Sequence, residues 1–83
     1  MPVVELEAMP RFFFSPVTLR GSATDTLGEE CADLSEAREL ARQTAAELVS
    51  AQLQSGQPPS GWVEVEDEQH RPLFMVPLRS VAS

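Results

Sequence analysis

Any nucleophilic chemistry in this chain runs through one thiol and one imidazole. Cys31 is the single cysteine and His70 the single histidine, and the sequence holds neither tyrosine nor lysine. A thiolate nucleophile needs a base beside it and a third group to orient that base. Cys31 falls just ahead of a helix start, where the helix dipole lowers a thiol pKa only modestly. His70 ends the polar stretch Asp67-Glu-Gln-His70, with no neighbour in sequence evidently placed to orient its ring. The two read as a buried, inert thiol and a solvated turn imidazole. No catalytic residue is expected, and the chain is not expected to be an enzyme.

Carboxylates offer the next chemistry. Glu64, Glu66 and Glu68 alternate, which puts all three on one face of a strand, with Asp67 in the turn that follows. Three hard oxygens on one face can hold a divalent cation loosely. They lack the looped backbone and mixed carbonyl donors of a dedicated calcium site. Carboxylates so spaced more often form a solvated face that discourages edge pairing. No cysteine–histidine spacing suggests zinc, and the four glycines are isolated, so no phosphate-cradling loop exists. The expectation is no metal site and no cofactor. Small-ligand or divalent-metal binding by a regulatory accessory domain stays as the alternative, through Glu64–Glu68 or a pocket beneath Trp62.

Charge narrows the partners. Thirteen acids against six bases leave a formal net charge of −7 over 83 residues. Phosphate backbones and anionic lipid surfaces both call for a positive field, so neither nucleic acid nor membrane is an expected partner. Phe12, Phe13 and Phe14 resemble a base-stacking platform, but only Arg11 and Arg20 lie near them, and core packing accounts for them better. No apolar run approaches the roughly 18 residues of a membrane span. The first eight residues carry two acids and no basic region, unlike a signal peptide. With a lone cysteine, these features point to the cytoplasm.

The elements that must position these groups are legible in outline. Asp33 and Glu36 have the spacing of a capping box. Behind them Leu34, Ala37, Leu40, Ala41, Ala45, Leu48 and Val49 recur largely at intervals of three and four, which predicts a helix over 34–54. Gly56 and Pro58-Pro59 supply its stop. Ahead of the helix, 11–19 reads as a strand interrupted by Pro16, and 22–27 as its return, ending at Gly28. Beyond the helix, Trp62-Val-Glu-Val-Glu66 alternates cleanly, and 72–78 completes a hairpin. The predicted fold is α+β, a two-layer ββαββ domain with one helix on a small, mostly antiparallel sheet. Residues 1–8 read as an N-terminal extension, 9–79 as the single domain and 80–83 as a tail.

Met9-Pro-Arg-Phe-Phe-Phe14 resembles the opening of a family of short bacterial proteins, mainly alphaproteobacterial, that begin Met-Pro-Arg-Tyr/Phe-Phe-Phe. Members often continue Asp-x-x-Gly-x-Glu-x-x-Asp-Leu-x-x-Ala. Here Asp25, Gly28, Glu30, Asp33, Leu34 and Ala37 stand at those positions. The segments 63–67 and 76–78 are similar to the family's final hairpin. The resemblance covers 9–78 and departs from the family in the eight preceding residues and in Pro16. The family is a domain of unknown function, so the resemblance implies a fold and no activity.

Two strands are apolar on both faces. Phe12 and Phe14 point opposite to Phe13 and Val17, and Leu73 and Met75 opposite to Phe74, Val76 and Leu78. One helix covers one face, and an extended apolar patch left on the other marks an interface unless residues 3–6 fold back over it or strand twist shields it. The expected function is therefore a non-enzymatic protein-interaction module, acting as a homodimer or with a protein partner. Its candidate interface is Phe12, Phe14, Phe74 and Val76, or their opposite-face neighbours if the helix takes that set.

Overall fold

The computed structural model describes residues 10–23 and 25–82; the extension expected over 1–8 lies outside them. Among the described residues five strands and two helices follow one another as β1 (Arg11–Thr18), β2 (Gly21–Ser22), β3 (Glu29–Glu30), α1 (Leu34–Gln54), β4 (Trp62–Glu66), β5 (Pro72–Pro77) and α2 (Leu78–Ala82). The strands form one antiparallel sheet in the order β2-β1-β4-β5, with β3 also paired to β1. The α1 helix packs on one face, which makes the two-layer α+β domain expected from the sequence.

Local signals account for α1. The Asp33 carboxylate accepts the Glu36 backbone N–H at 2.9 Å. The Glu36 carboxylate reaches back in turn, one residue past the cap, to the Ala32 N–H. At the far end Gly56 takes φ +77°, its N–H donating to the Leu53 carbonyl while Gln57 N–H donates to that of Gln52. Between the caps Ala37, Ala41, Ala45 and Val49 form a buried stripe with a spacing of four. Three of the four are alanines, so the helix axis can lie close to the sheet. Leu34 is in phase with this stripe but sits in the first turn and is 49% exposed. Gln52, one turn past Val49, exchanges two amide hydrogen bonds with the backbone of Ser60 and ties the following loop to the helix.

Register decides which strand residues meet that stripe. Phe14 lies opposite Val65, which in turn lies opposite Phe74, and Val63 lies opposite Val76. Phe12, Phe14, Val63, Val65 and Val76 are buried against α1 together with Cys31 and Leu78, and Phe74 packs at their margin. Burying side chains of this size contributes roughly 1.5–3 kcal/mol each.

The predicted return strand over 22–27 is absent as a continuous element. Two-residue strands pair with the two ends of β1, at Val17–Thr18 and Arg11–Phe12, and a loop spans the space between them. There Asp25 replaces the ladder: one carboxylate oxygen accepts the Phe14 N–H at 2.9 Å, the other the N–H groups of Leu27 and Gly28. Ala23 N–H donates to the Pro16 carbonyl, so the nitrogen of Pro16 faces this edge rather than β4. A proline in a strand is tolerated on such a side, because no ladder bond inside the sheet is lost.

The chain end also differs from expectation. The final strand stops at Pro77, and residues expected as its last position and a tail form α2, which packs on α1. Leu78 begins it fully buried, its N–H donating to the Gly61 carbonyl at 3.0 Å. Gly61 itself has φ +100°, and a Cβ there would run into the carbonyl of Val17.

Candidate functional site

Alternation carries the remaining strand residues to the face away from α1. Phe13, Ser15 and Val17 of β1 lie beside Glu66, Glu64 and Trp62 of β4, and Met75 lies on the far side of Glu64. The acids of β4 therefore stand in the middle of the face, with apolar residues on both flanks. Met75 and Leu73 are 52% and 41% exposed.

Neither central acid is loose. Glu64 accepts the indole N–H of Trp62 at 3.0 Å. Glu66 sits 3.2 Å from His70 Nδ1, and the His70 ring packs on Phe13 with centroids 4.3 Å apart. His70 holds φ +62° at the end of the β4–β5 turn. Asp67 organises that turn, accepting the N–H groups of Gln69 and Arg71 at 2.9 Å and the Arg71 guanidinium at 3.1 Å. These donors, the Arg71 N–H foremost, hold the Asp67 carboxyl below the usual aspartate range. At the β1 edge, burial pushes the Asp25 carboxyl up, but the N–H groups of Phe14, Gly28 and Leu27 outweigh it and hold it below its ordinary value.

The candidate interface residues need correction. Phe12, Phe14 and Val76 are 6–8% exposed and belong to the core beneath α1. Phe74 is half-buried there, under the Arg38 guanidinium at 5.2 Å. The helix takes this set because Phe12 and Phe14 share their face with Val63 and Val65, the aliphatic positions of β4, while Glu64 and Glu66 lie on the other. Of the opposite-face neighbours, Leu73, Met75 and Val17 lie on the side away from α1, while Phe13 on that side is itself only 8% exposed, with the His70 ring packed against it.

Cys31 and His70 are not brought together: the thiol is in the core on the helix side and the imidazole lies over Phe13 on the other. Burial pushes the Cys31 thiol up, and Glu36, Glu29 and Asp33 add to the effect, so the surroundings disfavour a thiolate. Glu64 and Glu66 share the outer face while Glu68 lies exposed in the turn. Among the described residues no three acids, histidines or cysteines converge as a metal site would need. The shallow cavities among the described residues include one of about 170 Å³ where Thr18 and Arg20 approach the end of α1 and one of about 250 Å³ between Glu30, Cys31 and Leu40; Trp62 lines neither of these. The contacts of His70 with Glu66 and Phe13 are not evident in the sequence. The spacing of four between Glu66 and His70 was the available signal, but it means little without knowing the turn.

These observations define a small two-layer α+β domain with one sheet face covered by a helix and the other amphipathic, with no helix over it among the described residues. The chain belongs to the DUF6894 family, a domain of unknown function, whose family model matches residues 11–79. No curated protein and no solved structure matches it. Among the described residues no helix is long and apolar enough to cross a membrane.

Proposed function

We propose that this chain is a non-enzymatic, cytosolic protein-interaction module that works through the outer face of its sheet, by self-association or with a protein partner. The observation that carries the reading is that, among the described residues, no second helix covers this face. Leu73 and Met75 expose apolar surface on the same sheet face as Trp62 and Val17, while α1 shields only the opposite side. The family match supports a role without assigned chemistry.

The test compares the wild-type chain with a Leu73→Asp/Met75→Asp variant that circular dichroism shows to be folded. Sedimentation velocity across the micromolar range reads self-association, and affinity capture from the native cell reads other proteins. Loss of either association in the variant supports the reading. An identical monomer and an identical captured set for both chains would overturn it. A large, concentration-dependent thermal shift with divalent cations or nucleotides would instead favour the ligand-binding alternative.

A further inference from the structure

The outer face combines apolar flanks with a charged centre, and that combination constrains what can lie on it. Glu64 and Glu66 project from β4, which has β1 on one side and β5 on the other, so both carboxylates stand mid-sheet rather than at a rim. Each uses one oxygen within the chain, toward Trp62 or His70. The arginines found in ion pairs serve other acids: Arg11 pairs with Glu30, Arg42 with Glu39 and Arg71 with Asp67. Among the described residues no arginine pairs with Glu64 or Glu66.

A second copy fits this centre poorly. Two-fold docking sets a patch against itself, so two pairs of half-buried glutamates would meet across the axis between chains of net charge −7. Like charges brought together with partial loss of water repel more strongly than they do at an open surface. The complementary occupant is cationic at its centre and apolar at its sides.

Spacing narrows the shape. Glu64 and Glu66 are two residues apart on a strand, which separates them by about 6.6–6.8 Å. Side chains four apart on a helix are neighbours at roughly 6 Å. A helix about 10 Å across also spans three strands set about 4.8 Å apart. We infer that the outer face receives an amphipathic helix of a partner protein, with Arg or Lys residues one turn apart paired to Glu64 and Glu66. Its apolar residues lie on Leu73 and Met75 to one side and on Val17 to the other. The inference rests on the interaction-module reading and names the partner's chemistry.

Trp62, the only tryptophan, stands on this face and reports its occupancy. The probes are three synthetic helical peptides of about 18 residues. They share a leucine-lined face and carry either two Arg, two Gln or two Glu one turn apart at its centre. Each is titrated into the full chain, with Trp62 emission and the anisotropy of labelled peptide as readouts. The expected result is Arg-peptide binding about tenfold tighter than Gln-peptide binding, with the Glu peptide weakest. That preference is expected to fall within about twofold in a folded Glu64→Gln/Glu66→Gln chain and to shrink in about 1 M salt. Equal binding of the Arg and Gln peptides would overturn the cationic inference while leaving the docking face in place. Failure of every peptide to bind would overturn it too, and the Leu73→Asp/Met75→Asp comparison would then decide the module reading separately. Self-association of the wild-type chain that Met75→Asp abolishes would make a second copy the occupant, against the inference.

Discussion

The two faces of one sheet are built from the same three strands, yet they differ in almost every physical respect. Toward α1, Phe12, Phe14, Val63, Val65 and Val76 meet an alanine-rich stripe and exclude water. On the other side, Phe13, Trp62 and Met75 alternate with Glu64 and Glu66, and each glutamate is held by a single ring donor. The helix face supplies stability through packing. The outer face retains partly hydrated charge that a well-packed core would exclude, and it gives up some burial in a domain that has little to spare. On the proposed reading, that surface serves recognition rather than the core.

The sharpest way to break the contrast is to place the same charge on each face. Phe14→Glu puts an unpaired carboxylate beneath α1, costing several kcal/mol, which is comparable to the whole stability of about 5 kcal/mol expected for a small domain. Circular dichroism is expected to show an unfolded chain. Smaller, but still large, is the effect expected at the β1 edge. Asp25→Ala leaves the Phe14 N–H without its acceptor and opens the loop over 25–28, costing about 1–3 kcal/mol in urea denaturation.

The same carboxylate predicts a pH dependence. Its folded pKa is depressed, so the unfolded chain binds the proton more readily. The stability it contributes is present above the unfolded value of about 3.9 and is lost as pH falls through the folded value. Wild-type stability is therefore expected to decline more steeply than that of Asp25→Ala below about pH 4.

On the outer face the effects diminish. His70→Ala removes the ring over Phe13 and the exposed contact with Glu66, for an expected cost below about 1 kcal/mol. Met75→Glu is expected to change stability by no more than about 0.5 kcal/mol, because its side chain is already half in water. A loss at Met75 as large as that at Phe14 would show that the two faces do not differ as described. Cys31 sharpens the comparison from the helix side. Its buried thiol is expected to react with a thiol reagent only as fast as the domain opens, measured as a rate that rises with urea.

Part of this was legible before any fold was known. Every signal for α1 is local: Asp33 and Glu36 lie three apart, the alanine stripe repeats every four, and Gly56 closes the last turn. The β4–β5 hairpin is equally local, and with the helix it makes the α+β class readable from the sequence. The β1 edge was not, because its key bond joins residues eleven apart, from Asp25 to Phe14, and so takes the place of a strand that composition suggested. The alternation of β1 and β5 showed that both faces are apolar, but an alternating pattern is symmetric and carries no sign for inside. Only the pairing of β1 with β4, together with the way α1 returns across the sheet, put Phe12 and Phe14 under the helix and Glu64 and Glu66 outside. Local spacing determined which elements form. Long-range register decided which of their faces became core, because shifting a strand by one residue exchanges every side chain between the two.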